Sequence, residues 1–176
     1  EEGHTIRALT RGNWPFNEHS NLQKVIGDIC DVASLERAVQ GVDCIVHLAA
    51  HLSDLTNSKD VNVGGTQNLI NTAKKHHVQS IINISTQSVK LTKKGEYGQT
   101  KLEAEEICNA SGIPTTTFRP SLVYAEEPNG ALGTIARYSK SPVIPVIGPG
   151  SAHFQPIHRD DLARAIAVAI EREDMR

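Results

Sequence analysis

Short apolar runs alternate with amphipathic stretches along almost the whole chain. The apolar runs, of which residues 44–48 and Ser80–Ile84 are the clearest, are nearly continuous rather than alternating. Runs of this kind predict parallel strands that are covered on both faces. The amphipathic stretches between them predict helices, so the chain is expected to be an α/β protein with a doubly wound parallel sheet.

The predicted elements follow one another without a linker. Strands are predicted at residues 5–9, 24–27, 44–48, 80–84, 115–118, 143–147 and 154–158, and helices at residues 35–40, 59–77, 97–110, from 132, and 160–172. Ser34 is expected to cap the first helix and Gly41 to end it. Gly112 is expected to end the helix that begins at Tyr97.

Composition excludes several classes of partner. Of the 176 residues, 39% are hydrophobic and 22% charged, and the formal net charge is −2, so nothing favours nucleic acid or an anionic membrane. The 3 cysteines are widely spaced and form no Cys-x-x-Cys, and the 8 histidines do not follow a metal-ligand spacing. We therefore expect a cytoplasmic protein with no metal, no nucleic acid and no membrane partner.

Tyr97 and Lys101 form a Tyr-x-x-x-Lys pair on a predicted helix. Residues with this spacing share one helix face, so the phenol and the ammonium are expected to point the same way. A free tyrosine titrates near ~10, and a neighbouring cation lowers that pKa by stabilising the phenolate. The pair therefore predicts proton exchange with a substrate hydroxyl. Two exposed side chains on a solvated helix would have the same spacing.

Small, polar and charged residues follow the predicted strands where each strand ends. The carboxyl ends of parallel strands meet at one edge of a sheet, where ligands bind at the switch point of the strand order. We expect a ligand site to draw on residues at these ends, namely Arg11, Asp28, Ile29, His47, Leu48, Ala49, Ala50, Ser85, Thr86, Arg119 and Pro120.

Seven short motifs are spread over nearly the entire chain. They are Gly27-Asp28-Ile29, His47-Leu48-Ala49-Ala50, Asn62-Val63-Gly64-Gly65-Thr66, Ile84-Ser85-Thr86, Tyr97-x-x-x-Lys101, the run from Arg119 to Tyr124 and the run from Pro156 to Ala163. Together they resemble the extended short-chain dehydrogenase/reductase superfamily, in particular its NAD(P)-dependent epimerase/dehydratase family. The resemblance implies a Rossmann-type fold that binds a nicotinamide cofactor.

The resemblance also implies catalytic roles. Tyr97 would be the catalytic acid and base, and Lys101 would hold the nicotinamide ribose and lower the pKa of Tyr97. Thr86 would hydrogen-bond the reacting substrate oxygen, with Ser85 as the alternative for that role. Asn62 would support the active site from its helix. A role in hydrogen-bonding the free backbone groups at the start of that helix would explain an asparagine at this position equally well.

The residues that would bind the cofactor follow from the same resemblance. Asp28 and Ile29 would lie beside the adenine, or else serve as a capping aspartate and a core isoleucine. Leu48, Ala49 and Ala50 would lie along the pyrophosphate and ribose, and Pro120 and Val123 under the nicotinamide. Arg11 ends the first predicted strand, where NAD-selective members carry an acidic residue. Its guanidinium favours NADP over NAD, unless Arg11 is only an exposed strand-end charge.

The sequence departs from the family pattern in two places. It has no Gly-x-x-Gly-x-x-Gly loop, so we expect roughly 25 to 30 further residues upstream, enough for one strand, the loop and a helix. Residues 1–125 would then be the cofactor-binding domain without its first strand and helix, and residues 126–176 the start of the substrate-binding region. Nucleotide-sugar enzymes generally have an arginine two residues before the aromatic residue of the Phe154 strand. Here the run is Ala152-His153-Phe154, which disfavours a UDP-sugar substrate.

The leading interpretation is an NAD(P)-dependent oxidoreductase or epimerase that acts on a small hydroxyl or carbonyl substrate. One alternative is a non-catalytic NADP-binding member resembling the complex I accessory subunit group, which often lacks the Tyr97 and Lys101 pair. Another is a sugar-nucleotide epimerase or dehydratase, although Gln87-Ser88 does not supply the acidic residues that a dehydratase uses. The sequence leaves open whether the protein is a monomer or a homodimer.

Overall fold

The structure is a computed structural model that describes residues 3–12, 19–52, 58–126, 130–142 and 155–172. Its strands are β1 (Ile6–Thr10), β2 (Leu22–Ile26), β3 (Cys44–His47), β4 (Ser80–Ile84), β5 (Thr115–Phe118), β6 (Val123–Tyr124) and β7 (Ile157–His158). Its α-helices are α1 (Val32–Val39), α2 (Thr66–Lys75), α3 (Gly95–Asn109), α4 (Gly130–Tyr138) and α5 (Arg159–Glu171). A π-helical segment, Asp60–Gly65, leads into α2, and a 3-10 helix, Gln87–Lys90, precedes α3.

All the ladders between these strands are parallel, and helices lie between β2 and β3, between β3 and β4, between β4 and β5, and between β6 and β7. β1 pairs with β2, β3 pairs with β4, and β4 pairs with β5, while β6 and β7 form a short pair of their own. The predicted α/β fold with parallel strands is therefore confirmed. The strand predicted at residues 143–147, together with residues 152–154, lies outside the described residues.

The described strands form separate sheets rather than one. In this part of the chain β1 has a ladder only with β2, and β3 only with β4, so each keeps an edge without a strand partner. The predicted strand order places one further strand between β1 and β3. That upstream strand, and the division of the chain at residue 125, stay predictions.

The first helix begins differently from the sequence prediction. The carboxylate of Asp31 accepts hydrogen bonds from the backbone N–H groups of Ala33 and Ser34 at 3.0 and 3.2 Å, so Asp31 is the N-cap of α1. The prediction that Ser34 caps this helix is wrong. Ser34 is buried and its hydroxyl donates to the Asp28 carbonyl at 2.8 Å. Gly41 does end the helix, with a φ of 71° that favours glycine.

The core lies on both sides of α2. On one side α2 packs against α1 through buried apolar side chains, namely Ile29, Leu35, Val39, Leu69, Ala73 and Val78. On the other side Ile70 packs against Ile81 of β4 and Cys108 of α3. This second contact seats α3 on the central sheet, which positions the residues of the candidate site. None of the helices in the described ranges is long and apolar enough to cross a membrane.

Candidate active site

Helix α3 presents Tyr97 and Lys101 on one face, as the spacing predicts. Lys101 is only 1% exposed, and Tyr97 is half-buried. The start of α3 also lies very close to the segment that follows β4, because a Cβ added at Gly98 would lie 3.1 Å from the Ser88 carbonyl oxygen. A glycine at position 98 therefore lets the helix approach the loop that carries Thr86.

The ammonium of Lys101 has no hydrogen-bond acceptor among the described residues. Burial lowers the pKa of this group, while Cys108 and Glu105 oppose that effect. Nζ itself is not among the fully buried polar atoms that lack a partner. A ligand oxygen can therefore reach the ammonium, and a hydrogen bond to it would offset the cost of burying the rest of this charged side chain.

The effect of Lys101 on Tyr97 differs from the sequence prediction. Burial raises the pKa of Tyr97, and Lys101 makes no contribution that would lower it. A cation stabilises a phenolate only when the two charges come within about 4 to 6 Å. Sharing a helix face does not by itself bring the polar ends of two side chains that close, so in this structure the predicted lowering does not occur.

Asn62 connects the loop after β3 to α3. Its Oδ1 accepts a hydrogen bond from the His51 backbone N–H at 2.7 Å, and its Nδ2 donates to the His51 carbonyl at 3.1 Å and to Thr100 Oγ1 at 3.0 Å. Thr100 in turn donates to the Tyr97 carbonyl at 3.1 Å. These bonds favour the supporting role of Asn62, because its side chain bonds the His51 backbone and Thr100 and not the backbone N–H groups at the start of its own helix.

His47 is part of the same buried polar network. Its Nε2 lies 2.8 Å from Thr66 Oγ1, and Thr66 Oγ1 donates to the Asn62 carbonyl at 2.6 Å. The threonine hydroxyl has only one proton, so His47 must donate through an Nε2–H. Burial, together with the nearby charge of Lys101, lowers the pKa of His47 to about 3. His47 is thus a neutral structural link between β3 and the π-helical segment.

Ser85 and Thr86 follow β4 and are both buried. Thr86 Oγ1 accepts a hydrogen bond from the Ser88 backbone N–H at 3.2 Å and so caps the 3-10 helix. Ser85 Oγ has no partner of good geometry among the described residues. The Gln87 backbone N–H donates to the Pro120 carbonyl at 3.0 Å, which ties this segment to the end of β5.

The structure brings Arg11 and Asp28 together at the ends of β1 and β2. Arg11 Nη1 lies 4.0 Å from Asp28 Oδ2, and the Arg11 side chain is 73% exposed. The other carboxylate oxygen of Asp28 accepts from the Cys30 backbone N–H at 2.8 Å. Ile29 is a core residue, since a Cβ added at Gly65 would lie 2.7 Å from its Cγ2. Ile29 thus has the core role that the sequence left open, whereas Asp28 accepts a hydrogen bond in the turn before α1 and does not cap that helix, whose N-cap is Asp31.

The other predicted cofactor residues lie on exposed or half-buried backbone. Leu48, Ala49 and Ala50 are exposed directly after β3, Pro120 is half-buried after β5, and Val123 is exposed in β6. No hydrogen bond or ion pair within the described ranges joins this group to Arg11 or Asp28. That all of these residues bind one and the same cofactor stays a prediction.

The sequence analysis did not predict the ion pair between Glu105 and Arg119. Glu105 of α3 is buried and forms a bidentate ion pair with Arg119 at the end of β5. Glu105 follows Tyr97 and Lys101 at the same four-residue spacing. This spacing puts all three on one helix face, and that signal was available in the sequence.

Comparison with known proteins decides the family. Residues 1–176 match the model of the NAD dependent epimerase/dehydratase family. The chain belongs to this family. Among its relatives, the 2-alkyl-3-oxoalkanoate reductase of Stenotrophomonas maltophilia (strain K279a) is 25% identical over 195 residues, which cover 97% of this chain and 59% of the relative.

Two further members are similar to this chain. The N-acetyl-alpha-D-glucosaminyl-diphospho-ditrans,octacis-undecaprenol 4-epimerase of Escherichia coli O157:H7 is 29% identical over 148 residues, covering 72% of this chain and 45% of the relative. The structure of UDP-glucuronic acid 4-epimerase from Bacillus cereus, in complex with UDP-glucuronic acid and NAD, has a TM-score of 0.74 and 26% identity, covering 88% of this chain and 57% of that one. The chain spans about half the length of the curated relatives it matches.

Proposed function

We propose that this chain carries the nicotinamide-binding and proton-transfer residues of an NAD(P)-dependent oxidoreductase or epimerase of the extended short-chain dehydrogenase type. The substrate would be a small molecule with a hydroxyl or carbonyl group. The observation that carries the proposal is the nearly buried Lys101 side chain, which lies on the helix face of Tyr97 and whose ammonium makes no hydrogen bond to another described residue.

The residues around Lys101 suit a nicotinamide cofactor. The ribose of such a cofactor offers two hydroxyl oxygens, which would accept hydrogen bonds from the ammonium and offset its burial. Pro120 and Val123 would lie against the nicotinamide, and Leu48, Ala49 and Ala50 along the rest of the dinucleotide. When bound, the cofactor supplies the hydride chemistry, and the protein contributes binding, orientation and proton handling.

Tyr97 handles the proton in this proposal. Its raised pKa keeps the phenol protonated at neutral pH before a ligand binds. A protonated phenol is the form that donates a proton to the oxygen of a carbonyl that is being reduced. The protonated phenol is therefore compatible with Tyr97 as the proton donor in carbonyl reduction.

Thr86 is the better candidate to bind the reacting substrate oxygen. Its hydroxyl donates to Ser88 Oγ over a long 3.3 Å, a bond that a substrate oxygen can replace. Ser85 is the alternative, but its Oγ is buried on the side of Glu105 and Arg119. In this proposal the Tyr97 phenol, the Lys101 ammonium and the Thr86 hydroxyl act on the same bound cofactor and substrate.

The second candidate is a sugar-nucleotide epimerase, which the similarity to the Bacillus cereus UDP-glucuronic acid 4-epimerase favours. The absence of an arginine at residues 152–154, which lie outside the described residues, argues for another substrate. A non-catalytic NADP-binding protein is the third candidate, and the retained Tyr97 and Lys101 argue against it.

The cofactor choice depends on Arg11. Its exposed guanidinium suits a 2'-phosphate and favours NADP. NAD is the alternative, since the similar epimerase structure holds NAD.

The test is a nicotinamide-fluorescence titration of the full-length protein with NADPH and with NADH. A panel of 3-oxo acids, 3-oxosteroids and UDP-sugars follows, with NADPH or NADH oxidation as the readout for the carbonyl compounds and 4-epimer formation for the sugars. Carbonyl-dependent oxidation supports the reductase, and turnover of UDP-sugars alone supports the epimerase. Tight cofactor binding without turnover of any substrate in the wild-type protein supports the non-catalytic alternative.

A further inference from the structure

Glu105 and Arg119 form a bidentate ion pair one helical turn beyond Lys101. Arg119 Nε donates to Glu105 Oε1 at 2.9 Å, and Arg119 Nη2 donates to Oε2 at 2.6 Å. The glutamate side chain is 2% exposed and the arginine side chain 37%. A carboxylate buried to this extent stays ionised only with a well-oriented partner, which Arg119 supplies.

The charge of Glu105 is maintained against its burial. Burial raises the pKa of Glu105, but hydrogen bonding by Arg119, with smaller contributions from the neighbouring Ser85 hydroxyl and the charges of Arg119 and Lys101, leaves it below its ordinary value. Because Ser85 Oγ makes no contact of good geometry, we assign the hydrogen-bonding effect to Arg119. Glu105 is thus an anion inside the protein at neutral pH.

Glu105 lies one helical turn from Lys101 on the same face of α3 and acts on its charge. Burial lowers the pKa of Lys101, while Cys108 and Glu105 oppose it. Burial raises the pKa of the Cys108 thiol to about 11, so this group is uncharged at neutral pH. His47, which faces Lys101 from β3, is also neutral. Among the described groups that act on Lys101, Glu105 alone therefore carries negative charge at neutral pH.

Arg119 connects the pair to the other side of the site. Arg119 directly precedes Pro120 in the chain. The Pro120 carbonyl accepts a hydrogen bond at 3.0 Å from the backbone N–H of Gln87, the residue that follows Thr86. Through Arg119, Glu105 of α3 is therefore joined to the end of β5 and to the Thr86 segment. One ion pair links the helix that carries Tyr97 to both loops that face it.

We propose that Glu105 and Arg119 are positioning residues, an inference that rests on the proposed function. Glu105 keeps the Lys101 ammonium charged for the cofactor, and the bond to Arg119 holds α3 in register with the Pro120 and Thr86 segments. Neither residue contacts the reacting atoms. Their effect on the reaction passes through Lys101 and through the geometry of the two loops.

The main test is the double variant Glu105→Gln/Arg119→Gln of the full-length protein. It replaces both charges by amides, and a glutamine at position 119 places its amide nitrogen where Arg119 Nε now donates to residue 105. Without cofactor, the titration of Lys101 is followed by NMR of ¹³C-labelled lysine side chains, and its signal is identified by its absence in Lys101→Met. The Kd for NADPH is then measured by fluorescence over the same pH range.

We expect the titration midpoint of Lys101 to move to lower pH in the double variant. The Kd for NADPH should rise at least tenfold at a pH between the two midpoints, and much less below both. The matched control is Glu36→Gln, which removes the carboxylate that binds Lys75 on the protein surface. That control should change neither the Lys101 midpoint nor the pH dependence of the Kd.

A folded double variant with an unchanged Lys101 midpoint and an unchanged pH dependence of the Kd would overturn the proposal and leave the pair a purely structural role. If the wild-type protein binds no nicotinamide cofactor, the proposed function fails, but the Lys101 titration still decides whether Glu105 maintains that charge. If the double variant does not fold, Arg119→Lys keeps the charges and loses the bidentate geometry. It should keep the wild-type Lys101 midpoint and weaken NADPH binding, and unchanged binding would overturn the positioning role of the pair.

Discussion

The sheet of β3, β4 and β5 and the sheet of β1 and β2 differ in how far the polar side chains around them are exposed to solvent. The sheet of β3, β4 and β5 lies under α2 and α3, and polar side chains such as His47, Asn62 and Lys101 are buried there. Among the described residues the sheet of β1 and β2 is open, with Ile6 58% and Ile26 54% exposed, and the Arg11 side chain at its end is 73% exposed.

This difference separates two tasks of the proposed site. In the buried region packing from several elements surrounds each polar group, and hydrogen bonds hold His47 and Asn62. A substitution there therefore changes chemistry, pKa values and stability together. In the open region an exposed side chain has few neighbours, so a substitution there changes the preference for a ligand and little else. The predictions below test this division.

The largest expected effect is that of Tyr97→Phe in the buried region. It should lower kcat by about 100-fold or more, because the proton-exchanging hydroxyl is lost, while the ring packing and the cofactor Kd stay within a few-fold. Steady-state kinetics and a fluorescence titration measure the two effects. Tyr138→Phe, on an exposed face of α4, is the matched control and should be silent. Full activity of Tyr97→Phe would remove Tyr97 from the mechanism.

Lys101→Ala should weaken cofactor binding and slow the reaction, because one ammonium is proposed to serve both. The loss of a charged hydrogen bond corresponds to about 1.5 to 3 kcal/mol of binding free energy. Kd and single-turnover rates are measured side by side, with the exposed Lys74→Ala of α2 as the control. An effect on only one of the two quantities would show that binding and proton transfer depend on different groups.

Arg11→Ala in the open region should weaken NADPH binding by about 1.5 to 3 kcal/mol and leave NADH binding nearly unchanged. Thermal unfolding should stay at the wild-type temperature, since Arg11 is exposed. Arg37→Ala, an exposed arginine on α1, is the control. Equal losses for both cofactors would contradict the NADP preference and assign Arg11 a general electrostatic effect.

His47→Gln should reduce the loss of stability in mild acid. The pKa of His47 is about 3 in the folded protein, against about 6.5 in the unfolded chain. Protonation therefore favours the unfolded chain as the pH falls below about 6.5, and at pH 5 this histidine destabilises the wild-type fold by about 2 kcal/mol relative to pH 7.

A glutamine at position 47 can still donate to Thr66 but does not titrate. Urea unfolding at pH 7 and pH 5, without cofactor, should show a smaller pH difference for His47→Gln than for the wild type. His4→Gln, a change at an exposed histidine, should keep the wild-type difference. An unchanged pH difference in His47→Gln would mean that His47 is not buried as a neutral group.

The alternation of strands and helices could be predicted from the sequence alone because it is a local property. Apolar runs located β3 and β4, and the four-residue spacing placed Tyr97 and Lys101 on one face of α3. Gly41 ended α1 as predicted, since its left-handed backbone is a local requirement. Each of these features depends on residues within a few positions of one another.

The environment of each side chain was decided by the tertiary structure. Tyr97 has a raised pKa because α3 is packed against the sheet and the 3-10 helix, and no local pattern shows how much water that packing removes. Glu105 meets Arg119 only because α3 and β5 are neighbours in the fold. The sequence by itself determined the elements and the direction of their faces. Burial and long-range partners, which set charge and pKa, arise only when those elements are packed together.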